Sequence, residues 1–196
     1  MRTAIETSDI GTNYEIAMHP PGVSLIDHFI ALLRHMAEAK TDLVLRLEDD
    51  IDVNRHIVHN LTHWPAIHDD RFLIGWAFDP NGSCRTIHDH IYQRAASNDR
   101  WMDNDVAFSQ AAVMWTRDVH DIANACAVFW KLHPELDGAF QDMALSNAPR
   151  ILKRGRVVVH APSLTEHLID LPSQLAHSHA HEATSNGTFI KDWKRA

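Results

Sequence analysis

The spacing of apolar positions divides the chain into short strand-like and longer helix-like runs. Tyr14-Glu15-Ile16-Ala17-Met18 alternates apolar and polar residues, which predicts a short strand stopped by His19-Pro20-Pro21-Gly22. Ser24 then caps an amphipathic helix in which Leu25, Phe29, Leu32, Leu33 and Met36 recur at helical spacing, ending near Lys40. Leu43-Val44-Leu45-Arg46-Leu47 reads as a buried strand that runs directly into Glu48-Asp49-Asp50-Ile51-Asp52. A second helix is expected over 53–61, with Ile57, Val58 and Leu61 on one face. Strands are expected over 72–78, 106–115 and 156–160, and helices over 118–130 and 138–147. The polar stretch 83–105 fits either a functional loop or a short helix plus loop, and the polar stretch from Ser173 onward is expected to be loosely held.

Strands alternating with helices predict an α/β layered domain with a largely parallel or mixed sheet. Its 196 residues suit a single compact domain, and a 45% hydrophobic content with 22% charged residues excludes a disordered or low-complexity scaffold. The balance of 18 Lys+Arg against 26 Asp+Glu leaves a net charge of −8, which argues against a broad basic nucleic-acid surface, although Lys153-Arg154-Gly155-Arg156 forms a local basic strip. No apolar run reaches the length of a membrane span, and the opening residues do not read as a signal peptide. Cys84 and Cys126 cannot build a disulfide framework, so a reducing, cytoplasmic setting is expected. Sixteen histidines are the compositional oddity, and they raise the question of a metal.

The acidic run answers it more sharply than the histidines do. Four carboxylates within Glu48-Asp49-Asp50-Ile51-Asp52, at the carboxyl end of a buried strand, repel one another unless a cation or solvent relieves them. The carboxyl ends of strands in open α/β sheets are where ligands bind, and hard oxygen donors suit Mg²⁺ or Mn²⁺ completed by substrate phosphates. The competing reading is a solvated acidic turn with Asp52 capping the next helix, and that cap is the favoured role for Asp52 itself.

The segment Leu43-Val44-Leu45-Arg46-Leu47-Glu48-Asp49-Asp50 resembles the strand and acidic DXD motif, here in EDD form, of GT-A-fold glycosyltransferases. Three later segments are similar in the expected order: Val106 to Arg117 to the strand of the acceptor half, Asp137-Gly138-Ala139-Phe140-Gln141-Asp142 to the acidic segment opening a helix in inverting members, and His160-Ala161-Pro162-Ser163-Leu164-Thr165-Glu166-His167 to the late segment that returns a histidine to the metal and diphosphate. The resemblance spans roughly residues 40–170 and implies a GT-A-like, Rossmann-type mixed sheet flanked by helices. It places the transferase domain at 1–172, with an abbreviated nucleotide-binding part before residue 48, followed by a polar, His-rich tail at 173–196.

What the resemblance implies, position by position, is a metal-dependent transfer of sugar from a nucleotide-sugar donor, a UDP-sugar foremost, to a hydroxyl of a glycan or of a hydroxymethylated DNA base. Asp50 and His167 would hold Mn²⁺ or Mg²⁺, Glu48 and Asp49 would contact the donor, and Asp142 would take the acceptor proton in an inverting reaction. Asp142 is equally readable as a surface carboxylate beside Gln141, and Asp137 as an N-cap. The alternatives are a metal-dependent phosphohydrolase or nuclease using the acidic cluster with His160 or His167, and an inactive nucleotide-sugar-binding module. The weaker candidates are His88-Asp89-His90 and the tract His177-Ser178-His179-Ala180-His181, each a potential metal site, and Trp101, which would stack on a sugar or base. His56, His59 and His63 read as filler on an amphipathic helix, Trp76 and Trp115 as core, and Cys126 as inert core.

Overall fold

The computed structural model describes residues 5–78, 100–102, 110–136, 141–168 and 189–196. In chain order these residues form α1 (Leu25–Met36), β1 (Leu43–Leu47), β2 (Ile51–Val53), α2 (Ile57–Thr62), β3 (Phe72–Trp76), β4 (Arg100–Met102), β5 (Ala111–Trp115), α3 (Thr116–Leu132), α4 (Gln141–Leu152), β6 (Arg156–Val159) and β7 (Thr165–His167). Five strands make one sheet in the order β1-β5-β3-β6-β4, and β2 pairs with β7 in a separate ribbon. β5 runs antiparallel to both β1 and β3, β3 and β6 are parallel, and β4 is antiparallel to β6. β1, β3 and β6 therefore point the same way, and their carboxyl ends share one sheet edge with the amino end of β5. The protein is a mixed α/β domain with helices on the sheet.

Both faces of the sheet are buried, which explains the continuous apolar runs of β3 and β6. On one face Val44, Ile74, Trp76, Ala112, Met114, Val157 and Val159 pack with Phe29 and Leu33 of α1, Ile122, Cys126 and Phe129 of α3, and Ala144, Leu145 and Ala148 of α4. On the other face Phe72, Ala111, Val113 and Val158 meet Ile57 and Leu61 of α2, Trp64, Ile67, and Ile51 and Val53 of β2. Gly75 permits the second packing: a Cβ there would lie 2.5 Å from Cζ3 of Trp64 and 2.7 Å from Cγ1 of Val113, so only glycine lets that indole close against β3.

The helix starts follow local chemistry. Ser24 accepts a hydrogen bond from the Asp27 amide at 3.0 Å, so α1 begins where the cap was expected, although it ends at Met36, short of Lys40. β1 has the expected bounds, and β3, β5, α3, α4 and β6 fall within or across their expected runs. No strand forms over 14–18. Ile16 and Met18 stay exposed, Met18 at 77%, because no strand among the described residues pairs with this stretch to bury an apolar face. The helix expected from residue 53 starts only at Ile57, because β2 claims Ile51–Val53 by pairing with β7. Asp52 therefore does not cap it. That carboxylate accepts from the Val53 amide at 2.9 Å and is ion-paired with Lys191. The exposed amides of α2 are met from elsewhere, by the Asp9 carboxylate, which accepts from Val58 and His59 at 2.8 Å each.

Residues 189–196 are tied down, contrary to the loose hold expected there. Asn54, wholly buried, donates through Nδ2 to the carbonyls of Ile190 at 2.7 Å and Trp193 at 2.9 Å, while its Oδ1 accepts from the His56 amide and from Asn60. Asn60 in turn donates to the Trp193 carbonyl at 3.0 Å and accepts from the Arg195 amide at 2.7 Å. Arg55 adds an ion pair to Asp192 at 3.0 Å.

Candidate functional site

One sheet edge gathers the motifs that the sequence set apart. The Glu48 amide donates to the Gln110 carbonyl at 2.9 Å, the Ala77 amide to the Ala111 carbonyl at 2.9 Å, and the His160 amide to the Trp76 carbonyl at 2.9 Å. The loop after β6 folds back across this edge, where the Leu164 amide reaches the Ala77 carbonyl at 2.7 Å and the Leu168 amide reaches the Asp50 carbonyl at 2.7 Å. Pairing of β2 with β7 sets Ile51 opposite His167, one residue beyond Asp50. The acidic run at the end of β1 and the late histidine segment are thus joined by backbone hydrogen bonds, although more than a hundred residues separate them.

Glu48 and Asp50 are partly buried and Asp49 is exposed. Arg46, whose side chain is only 10% exposed, organises the inner wall. Its guanidinium lies 3.4 Å from Glu48 Oε1, donates to Gln141 Oε1 at 2.9 Å, and sits 5.2 Å from the Phe29 ring centroid. That contact draws the start of α4 to the acidic run and brings Asp142 with it. Asp142 stands in the first turn of α4, and its Oδ1 accepts from the Met143 amide at 2.8 Å. Removal from water pushes its carboxyl up to about 6. The Glu48 charge acts in the same direction, while the Met143 amide and the Arg46 guanidinium oppose the rise. A carboxylate so placed is a stronger base than an ordinary aspartate and is still ionised near pH 7. On the α1 side, burial and then the nearby His19 and Arg46 lower His28 from the usual imidazole range.

Glu48 and Asp142 therefore come together, and the backbones of Asp50 and His167 meet at the same sheet edge. Among the described residues no group of three His, Cys, Asp or Glu side chains is placed to hold a metal ion. An open site finished by water and phosphate does not require such a group. His160 does not join the cluster. It is wholly buried, with Nδ1 hydrogen-bonded to the Pro162 carbonyl at 2.7 Å, Nε2 accepting from Arg195 at 3.1 Å, and its ring against Trp64 and Trp193. Both nitrogens are engaged in the core, which removes it from the hydrolase reading.

The remaining candidates sort by burial. Trp76 is wholly buried, and Trp115 is partly buried with Nε1 donating to the Ile67 carbonyl at 3.0 Å. Burial raises the Cys126 thiol far above its usual range, which makes it inert. His59 and His63 stack on each other at 4.1 Å, and His59 Nε2 meets the Arg195 carbonyl at 3.0 Å. Trp101 lies in β4. Asp137, His88-Asp89-His90, Cys84 and the tract 177–181 lie outside the described residues. Arg46 and Gln110 were not singled out by sequence reasoning as site residues. The available signal for Arg46 was a lone cation interrupting an otherwise apolar strand.

No helix among the described residues is long and apolar enough to cross a membrane. No protein-family model matches the sequence, and comparison with curated proteins returns no match.

Proposed function

We propose that this chain is a metal-dependent glycosyltransferase of GT-A type that moves a sugar from a nucleotide-sugar donor, a UDP-sugar foremost, to a hydroxyl of a glycan or of a hydroxymethylated DNA base. The observation that carries the reading is the approach of Asp142, with its raised basicity, to Glu48, the first residue of the acidic run at the carboxyl edge of the sheet. The phosphohydrolase or nuclease alternative needs two metals held by carboxylates from separate strands; His160 is held in the core by the Pro162 carbonyl and Arg195, which leaves that reading His167.

Asp50 and His167 would hold Mn²⁺ or Mg²⁺, since a hard carboxylate on the turn before β2 and a histidine whose backbone pairs with Ile51 suit an ion that keeps its water and phosphate ligands. Such an ion, when bound, supplies positive charge to the diphosphate as it leaves. Glu48 and Asp49 line the donor side. Asp142 takes the proton from the acceptor hydroxyl, so that the oxygen attacks the anomeric carbon as the bond to the diphosphate breaks; attack opposite the leaving group inverts that centre. Arg46 holds Glu48 and the start of α4 in register and is a positioning residue.

The test is thermal stabilisation by UDP-, GDP- and dTDP-sugars with and without Mn²⁺, followed by turnover. Stabilisation by one nucleotide class that requires Mn²⁺ and disappears in Asp50→Asn is the expected result. Absence of stabilisation by any of them, with phosphatase activity in its place, overturns the proposal. Binding without turnover on any hydroxylated acceptor would leave a nucleotide-sugar-binding module.

A further inference from the structure

We propose that Gln110 is the residue through which this site reads a hydrogen-bond donor on the transferred sugar; the inference rests on the glycosyltransferase reading. Gln110 directly precedes β5, is 9% exposed, and its Oε1 is buried with no hydrogen-bond partner among the described residues. An unmet buried carbonyl oxygen lowers the stability of the free protein, and a ligand O–H or N–H that reaches it removes that cost.

The strand register says where this oxygen lies. β1 and β5 pair with Val44 opposite Met114 and Arg46 opposite Ala112. The Glu48 amide's bond to the Gln110 carbonyl continues the ladder by one pair, which sets Gln110 opposite Glu48. Opposed residues project from the same face, and this face carries Val44, Met114 and Ala112 against α1, α3 and α4. It is also the face on which Arg46 reaches Gln141 beside Asp142. Gln110 is therefore the cross-strand neighbour of Glu48 on the wall that holds the candidate base.

The chemistry of that wall selects the ligand. Glu48 and ionised Asp142 accept hydrogen bonds and do not donate them, the Gln110 oxygen also accepts, and the Arg46 guanidinium is engaged by Glu48 and Gln141. The two carboxylates repel a phosphate and, with the Gln110 oxygen beside them, suit a group dense in donors. The sugar ring of the donor, with its several hydroxyls, has that character; the diphosphate belongs toward Asp50.

Calorimetric titration in Mn²⁺ compares a UDP-sugar with UDP on the wild type, Gln110→Met and Gln110→Glu, substituting the nucleotide class that stabilises the wild type if it is another. Methionine keeps the length and removes the acceptor; glutamate restores one. The expected result is a ~10-fold loss of nucleotide-sugar affinity in Gln110→Met with nucleoside diphosphate affinity unchanged, and retention of sugar affinity in Gln110→Glu. The free Gln110→Met protein should melt at or above the wild-type temperature, because an unmet buried carbonyl has gone. Equal loss for both ligands, no loss for either, or a lower melting temperature without selective loss overturns the role of Gln110 alone. A wild type that binds neither ligand in Mn²⁺ overturns the functional reading and this inference together.

Discussion

Asp142→Asn tests the central electrostatic argument because it keeps the shape of the side chain and removes its charge. Between about pH 4 and 6 the folded chain holds on Asp142 a proton that the unfolded chain has released, so ionisation there weakens the fold as pH rises. The gap between 3.8 and about 6 corresponds to a penalty of ~3 kcal/mol, fully present above the upper value and absent below the lower one. Asparagine carries no such penalty, but its amide is also withdrawn from water and its oxygen is a weaker acceptor for the Met143 amide. The net gain expected for the variant is therefore ~1–2 kcal/mol at pH 8, and it falls by ~2–3 kcal/mol toward pH 4, where the variant becomes the less stable of the two. Urea unfolding of both proteins from pH 4 to 8 measures it. The same substitution should abolish sugar transfer while sparing donor binding, and wild-type turnover should rise with pH through about 6 before levelling. A variant less stable than the wild type at pH 8, or a difference that does not vary with pH, would refute the claim that a desolvated carboxylate stands at this point. Surviving transfer would refute its role as the base.

Other consequences follow from packing. Asn54→Ala removes the donor to the Ile190 and Trp193 carbonyls and the acceptor for the His56 amide, so a loss of ~2–4 kcal/mol in urea unfolding is expected, with earlier proteolytic cleavage within 189–196. Gly75→Ala places a methyl group against Trp64 and Val113 and should cost ~2 kcal/mol or more, read as a fall in melting temperature. An unchanged melting temperature would mean that Trp64 and β3 can part at little cost.

The elements legible in the sequence were those whose burial is local. β1 announced itself by its apolar run, and α1 by Ser24 and the spacing of Phe29 and Leu33. Tyr14 to Met18 alternates just as regularly, but alternation supplies only half of a strand, and the other half is an edge to pair with. β2 was hidden for the converse reason: Ile51–Val53 is too short to show a period, and its partner β7 lies far along the chain. Asp52 read as a cap because the ribbon that displaces the helix start is not visible in the local pattern. For the candidate site, the acidic run and Asp142 were recognisable as types, whereas Arg46, which ties them together, depends on a contact with Gln141 across 95 positions. Gln110 is one unremarked residue of the Val106 to Arg117 segment, and its distinction is an unmet oxygen that only packing reveals.

The binding of residues 189–196 to Asn54, Asn60 and Asp52 bears on the timing of assembly. β2 is made early in synthesis, yet it is clasped by β7 and by a segment that leaves the ribosome later still. A nascent chain emerging only as far as α4 has the acidic run and the candidate base but neither of these clasps. Contacts so distant along the chain form slowly, and on this topology competence to bind a ligand should appear late and abruptly instead of growing with chain length.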